Sequence, residues 1–159
     1  MIEATDLMDV LKNQDFLKGF QPQQLEKLAS LAHEVRFDRD QVIFREGDES
    51  SFFYLLISGK VSLEVTALWR TLRVQTLTEG EELGWSSLLP AGGKQFQARA
   101  LTTVHALAFD GARLREACEQ DYQFGFTLLR RILTVVAGRL QATRLQLLDM
   151  YSPSGAKPI

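Results

Sequence analysis

Val42-Ile43-Phe44-Arg45-Glu46-Gly47-Asp48-Glu49-Ser50, followed at once by Ser51-Phe52-Phe53-Tyr54-Leu55-Leu56-Ile57-Ser58-Gly59-Lys60-Val61-Ser62-Leu63-Glu64-Val65, is the stretch on which the fold turns. Gln41 to Phe44 reads as a strand. Glu46 to Ser50 is a polar turn, with Gly47 where a positive φ is needed. Phe52 to Ile57 is an apolar run, and Ser58-Gly59 after it is a hairpin signal. Val61, Leu63 and Val65 then continue with period two. Short strands separated by such turns predict a small antiparallel roll or barrel.

The same grammar extends in both directions. Upstream, Glu34 to Asp38 alternates polar and apolar residues, and Asp38-Arg39-Asp40 makes a turn. Downstream, Thr71 to Leu77 alternates again, and Gln97 to Phe109 holds one or two further strands. No helices alternate with these strands, so a parallel α/β sheet is excluded. The N-terminal residues have helical spacing instead. Leu7, Val10, Leu11, Phe16 and Leu17 predict a helix over 6–18 with Gly19 as its cap, and Pro22 opens a second, with Leu25, Leu28, Ala29 and Ala32 on one face. The expected class is α+β, mainly β: an antiparallel, jelly-roll-like β-roll with N-terminal helices and one long C-terminal helix.

That last helix follows a short one N-capped by Asp110 and runs from about 121 to 150. Leu129, Leu133, Val136, Leu140, Thr143, Leu147 and Met150 alternate by four and three, a heptad seam with one polar residue, Thr143. Leu128, Ile132, Val135 and Ala142 form a neighbouring stripe. Two stripes predict two partners, the roll itself and a second copy of the chain, hence a homodimer. The alternative is one broad stripe buried on the roll alone. Residues 1–150 are then one sensor-sized domain, and Ser152-Pro153-Ser154-Gly155 marks 151–159 as a disordered tail.

Composition limits function. A chain of 159 residues supports one sizeable core. Its net charge of −2 provides no general attraction to nucleic acid or to an anionic membrane. Cys118 is the only cysteine, so no intrachain disulfide forms, which fits a reducing compartment. The N-terminus lacks the pattern of a signal peptide, and no run is long and apolar enough to span a membrane; the expected location is cytoplasmic. His33 and His105, far apart in sequence, make no metal-ligand cluster, and acids beside Cys118 disfavour a reactive thiol. No catalytic set, metal or cofactor is called for.

One connection carries more than a link between strands needs: Gly80-Glu81-Glu82-Leu83-Gly84-Trp85-Ser86-Ser87-Leu88-Leu89-Pro90-Ala91-Gly92-Gly93-Lys94-Gln95-Phe96-Gln97-Ala98-Arg99-Ala100. A short helix opening after Gly84 offers free backbone N–H groups to an anion, and Lys94 adds a positive charge. The bland alternative is a decorated loop.

In order and in motif, the chain resembles the cyclic-nucleotide-binding domain of bacterial regulators of the catabolite-activator and fumarate–nitrate type. The resemblance rests on Val42-Ile43-Phe44-Arg45-Glu46-Gly47-Asp48, Phe53 to Val61, Gly80, Leu83-Gly84 and Ala98-Arg99-Ala100, and covers about residues 10–150. It implies a β-roll flanked by helices, a long C-terminal helix that often makes the dimer, and a phosphate-binding cassette at the connection just quoted. In the family a Gly-Glu pair opens the cassette helix, the Glu takes the ribose hydroxyl, and an Arg further on clamps the cyclic phosphate. Those positions fall here on Trp85 and Lys94. Trp has no acceptor for a hydroxyl, and Lys lacks the planar fork. Each loss costs on the order of 1.5–3 kcal/mol, together about a hundredfold in affinity or more. Gln95-Phe96 stands where the family has small residues. Gly84, Trp85, Ser86, Ser87, Lys94, Gln95 and Phe96 therefore line an altered cassette, which is filled by its own side chains, or takes a different small ligand, or still takes a cyclic nucleotide weakly. Thr143-Arg144 resembles the place on the long helix where such proteins touch the base; the other reading of Thr143 is a register-setting seam residue. Transcription factors of the family continue into a helix-turn-helix, whereas this sequence ends at Ile159 without a basic patch. DNA binding by this chain alone is thus not expected, and signalling to an unknown protein partner is.

Overall fold

In a computed structural model, residues 3–49, 51–89, 93–94 and 96–151 are described. The N-terminal segment is α1 (Ala4–Lys12), one 3₁₀ turn (Asp15–Leu17) and α2 (Pro22–Leu31). The expected single helix over 6–18 is therefore broken at Asn13-Gln14. The break lets Phe16 and Leu17 point into the core, at 2% and 4% exposure. Pro22 sits in the first turn of α2, where its missing N–H costs nothing.

Eight strands follow: β1 (Ala32–Phe37), β2 (Val42–Phe44), β3 (Phe52–Ser58), β4 (Val61–Ala67), β5 (Arg70–Leu77), β6 (Glu82–Leu83), β7 (Gln97–Ala100) and β8 (Val104–Asp110). They form two four-stranded antiparallel sheets, ordered β1-β8-β3-β6 and β2-β7-β4-β5. The sequence resolved Gln97 to Phe109 only as one or two strands; the turn at Leu101–Thr103 splits it, with β7 in one sheet and β8 in the other. β6 was hidden within the long connection, since a two-residue strand has no periodicity to read.

Alternation along β3 separates two cores. Phe53 and Leu55 pack under the helices with Phe16, Phe109, Leu114, Phe124 and Leu128. Leu56, between these positions and the opposite face, joins Val61, Leu63, Leu77, Leu83, Ala98 and Ala106 inside the roll, with Tyr54 beside them. At the β4–β5 tip, Leu68 and Trp69 adopt φ of +49° and +76° and are fully exposed. Such backbone is unfavourable for bulky residues, and nothing in the surrounding structure explains their choice here.

Asp110 caps α3 (Gly111–Gln120) as expected, its carboxylate accepting from the N–H groups of Ala112 and Arg113 at 2.9 and 3.2 Å. The long helix α4 runs Tyr122–Tyr151. Its first half lies on the roll: Leu128 and Ile132 are buried, and Val135 and Val136 pack against the same core. Beyond that the helix stays tied to the roll by polar side chains, Arg139 to Glu82 and Gln146 to the Val74 carbonyl at 2.9 Å. Leu129, Leu133, Leu140 and Leu147 are 50–67% exposed, and Met150 reaches 82%. The two stripes thus separate in space with two adjustments. Val136 is half-buried against its own core, and Ala142 lies in the exposed half. Of the expected tail, Tyr151 closes α4 and 152–159 lie outside the described residues. No helix among the described residues is long and apolar enough to cross a membrane.

Candidate functional site

The cassette lies between β6 and β7. Gly84 adopts φ +84° and turns the chain from β6 into one 3₁₀ turn, Trp85–Leu88. A Cβ at Gly84 would collide with the Phe52 carbonyl oxygen and stand 3.1 Å from the Lys94 ammonium. Only glycine fits both the backbone angle and that gap. The expected short helix is present, but it is a single turn, and the Ser87 amide is already used on the Gly84 carbonyl at 3.0 Å. Fewer donors face the site than a longer helix would offer.

Lys94 is held from both sides by backbone. Its N–H donates to the Asp48 carbonyl at 2.9 Å, and its carbonyl accepts from the Gly47 N–H at 2.8 Å. The turn read from Glu46-Gly47-Asp48 thus fixes where the cation enters. The Lys94 side chain points inward and the residue is only 5% exposed. Its ammonium donates to the Phe52 carbonyl at 3.3 Å and sits 4.3 Å from the Phe44 ring centre. Burial pushes it down from 10.5 to about 8, partly offset by Asp48.

Phe44, Leu63, Leu83, Gly84, Trp85, Ser86, Lys94, Phe96 and Arg139 surround a cavity of about 20 Å³. One water needs roughly 10–15 Å³, so there is room for little else. Trp85 and Phe96 are half-buried, Trp85 against the helical core and Phe96 against the roll interior. Of the predicted site residues, the structure therefore brings Gly84, Trp85, Ser86, Lys94 and Phe96 around one small space. Ser87 is fully buried but turns the other way: its Cβ lies against Gly111 of α3, and its carbonyl accepts from Arg115 at 2.5 Å. Gln95 lies outside the described residues. Thr143 and Arg144 are exposed and do not reach the cavity of their own chain; the Thr143 hydroxyl donates to the Arg139 carbonyl one turn back at 2.9 Å. The side chain that reaches from α4 into the cassette is Arg139.

Arg139 and Glu82 were missed from sequence. The Arg139 Nη2 donates to the Glu82 carbonyl at 2.7 Å and to its carboxylate at 2.5 and 3.1 Å. The two side chains are 13% and 3% exposed. Burial pushes the Glu82 carboxyl up to about 7 even though Arg139 pulls it back. Glu82 follows Glu79 and Glu81 in a polar stretch and gives no local sign of burial, and nothing in a sequence pairs residues 57 positions apart. The described residues contain no group of three side chains suited to a metal ion. Cys118 is pushed up by burial first and then by Glu119 and Asp121, so the thiolate is disfavoured.

Comparison with known proteins places the fold. The family model described as the cyclic nucleotide-binding domain matches residues 34–121, more than half of the chain. A CRP-like cAMP-activated global transcriptional regulator of Mycobacterium tuberculosis is 27% identical over 89% of this chain, which spans 62% of that relative's length. The crystal structure of a putative cyclic nucleotide-binding protein from Geobacter metallireducens superposes with a TM-score of 0.73 at 28% identity, covering 88% of this chain and 99% of that one. A cyclic nucleotide-binding domain from Methylobacillus flagellatus shares the fold at a TM-score of 0.80 and 15% identity, covering 98% and 86% of the two chains. With the family model matched over more than half of its length, the chain belongs to the cyclic nucleotide-binding domain family.

Proposed function

We propose that this chain is a non-catalytic regulatory module that works as a homodimer through α4, signals to a protein partner, and binds cyclic AMP weakly or not at all. The observation that carries this reading is the cassette cavity of about 20 Å³, walled by Trp85, Phe96, Lys94 and Arg139. A nucleotide needs a space more than ten times larger, in the range of about 300 Å³ and above for ordinary ligand sites. The ribose acceptor is replaced by Trp85, and the phosphate clamp by an ammonium already engaged with Phe52 and Phe44. The dimer is supported by the row of exposed leucines along α4, Leu129, Leu133, Leu140 and Leu147. A second reading, a purely structural interaction module, is favoured by the same filled cavity.

Calorimetry tests the cassette. The wild type should bind cyclic AMP no tighter than about 100 μM. The Trp85→Glu, Lys94→Arg pair should tighten it by at least about tenfold, through the restored acceptor and fork. Micromolar binding by the wild type would overturn the reading. A partner protein whose binding changes with a small molecule separates a sensor from a structural module, since a ligand at about 100 times its Kd stabilises by about 2.7 kcal/mol in a thermal shift.

A further inference from the structure

On the other side of Glu82 from the cassette, α4 and the strand β6 enclose a cleft of about 330 Å³. Asp15, Phe16, Arg131, Val135, Gly138 and Arg139 are among its walls, and Arg139 is the one residue it shares with the cassette cavity. Its volume falls in the range of about 300–1,000 Å³ typical of small-molecule sites, which the cassette's does not.

The charges in this cleft are unevenly satisfied. Asp15 accepts from Lys18 at 2.9 Å, Glu81 from the Thr78 N–H at 2.6 Å, and Glu82 from Arg139. Two of these acids are ion-paired, Asp15 with Lys18 and Glu82 with the Nη2 of Arg139, and of the two guanidinium groups only Arg131 has no carboxylate at contact distance among the described residues. Arg131 donates to the carbonyls of Phe16 and Asp15 at 2.7 and 2.9 Å, neutral acceptors that leave its charge uncompensated at contact distance. The Nε of Arg139 is buried and has no hydrogen-bond partner among the described residues. A buried N–H on a cation without an acceptor is costly, and an incoming acceptor relieves that cost. Arg131, Val135 and Arg139 recur at four-residue spacing, so one stripe of α4 presents cation, apolar surface and cation in turn.

Gly138 adds an independent observation. It lies within α4 and lines the cleft, and a Cβ built there meets nothing within 4 Å. A glycine inside a helix costs about 1 kcal/mol relative to alanine, and here no close packing requires it. It leaves this part of the cleft wall bare, with open space where a larger side chain would project.

We propose that this cleft is a second small-molecule site, separate from the cassette, and that it takes an organic anion with an apolar body: the carboxylate or phosphate lies between Arg131 and Arg139, and the body lies along Val135 and Phe16 over Gly138. The proposal goes beyond the regulatory reading and does not depend on the cassette. The two ideas fail separately because, of the two sites, Lys94 lines only the cassette cavity and Gly138 only the cleft, so substitutions at these two positions assign any bound anion to one site or the other.

Isothermal titration of the intact chain with phenyl phosphate and 2-naphthoate, beside inorganic phosphate, provides the test. One of the two organic anions should bind saturably with a Kd below about 1 mM, and inorganic phosphate at least about tenfold more weakly. Gly138→Leu should weaken binding at least about tenfold while helical circular dichroism is kept, because the substitution fills the cleft and improves helix propensity. Arg131→Gln should weaken it as well, and Lys94→Gln, in the cassette, should leave it unchanged. No saturable binding by either organic anion, binding indifferent to Gly138→Leu, or binding lost with Lys94→Gln would each overturn the proposal.

Discussion

Removing Arg139 should expose how the cassette is tied to the long helix. In Arg139→Met, the Glu82 carboxylate keeps its burial, at 3% exposure, and loses its cation. Breaking a buried pair from one side typically costs about 3–5 kcal/mol. The carboxyl can escape part of that cost by taking up a proton, so the penalty depends on pH. In the wild type the folded carboxyl holds its proton more tightly than the unfolded one, with a value of about 7 against 4.5. Its contribution is therefore fully present below 4.5 and lost as pH rises towards 7, about 3 kcal/mol over the window at about 1.4 kcal/mol per unit. Without Arg139 the folded value rises further, and the loss continues above 7. Urea unfolding followed by circular dichroism, at one protomer concentration, should show a penalty near the full range at about pH 8 and less than half of it at about pH 5. Adding Glu82→Leu to Arg139→Met should return stability to within about 1 kcal/mol of wild type, since an apolar pair of similar volume replaces the ions. A penalty below about 1 kcal/mol at the higher pH, or one larger at the lower pH, would refute the reasoning.

Two further outcomes follow from the same structure. Lys94→Met should stabilise the protein by about 1–2 kcal/mol at neutral pH, because burial of the ammonium is only partly offset by one carbonyl and one ring. The folded ammonium loses its proton more readily than the unfolded one, so wild-type stability should rise as pH goes from about 8 to 10.5, and thermal unfolding of the variant should lack that rise. Leu133→Glu with Leu140→Glu should give a monomer by analytical ultracentrifugation with unchanged circular dichroism, since both leucines are over 60% exposed in the single chain. A wild type that already sediments as a monomer at tens of micromolar would end the dimer reading.

Much of the fold was legible because its cause is local. Period-two alternation from Glu34 to Phe109 set the strands, Glu46-Gly47-Asp48 set a turn, Asp110 set a helix start, and two apolar stripes marked a helix with two faces, whereas the hairpin read at Ser58-Gly59 is instead a crossover, because β3 and β4 lie in different sheets. Each depends on residues a few positions apart, whose backbone preferences act before any tertiary contact forms. The Gly80 to Ala100 connection stood out for the same reason, as a contiguous run longer than a link between strands needs. What the sequence could not decide is where side chains go once they have a choice of neighbour. Ser86 and Ser87 are adjacent and chemically identical, yet one lines the cassette cavity and the other lies against α3. Lys94 reads as a cation offered to an anion and is instead turned inward onto Phe44. Whether the cassette was open or filled depended on volumes contributed by β2, β4, β6 and α4 together, and so appeared only when those elements were packed. The Glu82–Arg139 pair and the cleft beside it were decided at the same level. Burial in a low-dielectric interior makes an unpaired charge so unfavourable that distant residues must meet, and no local pattern records which residues those are.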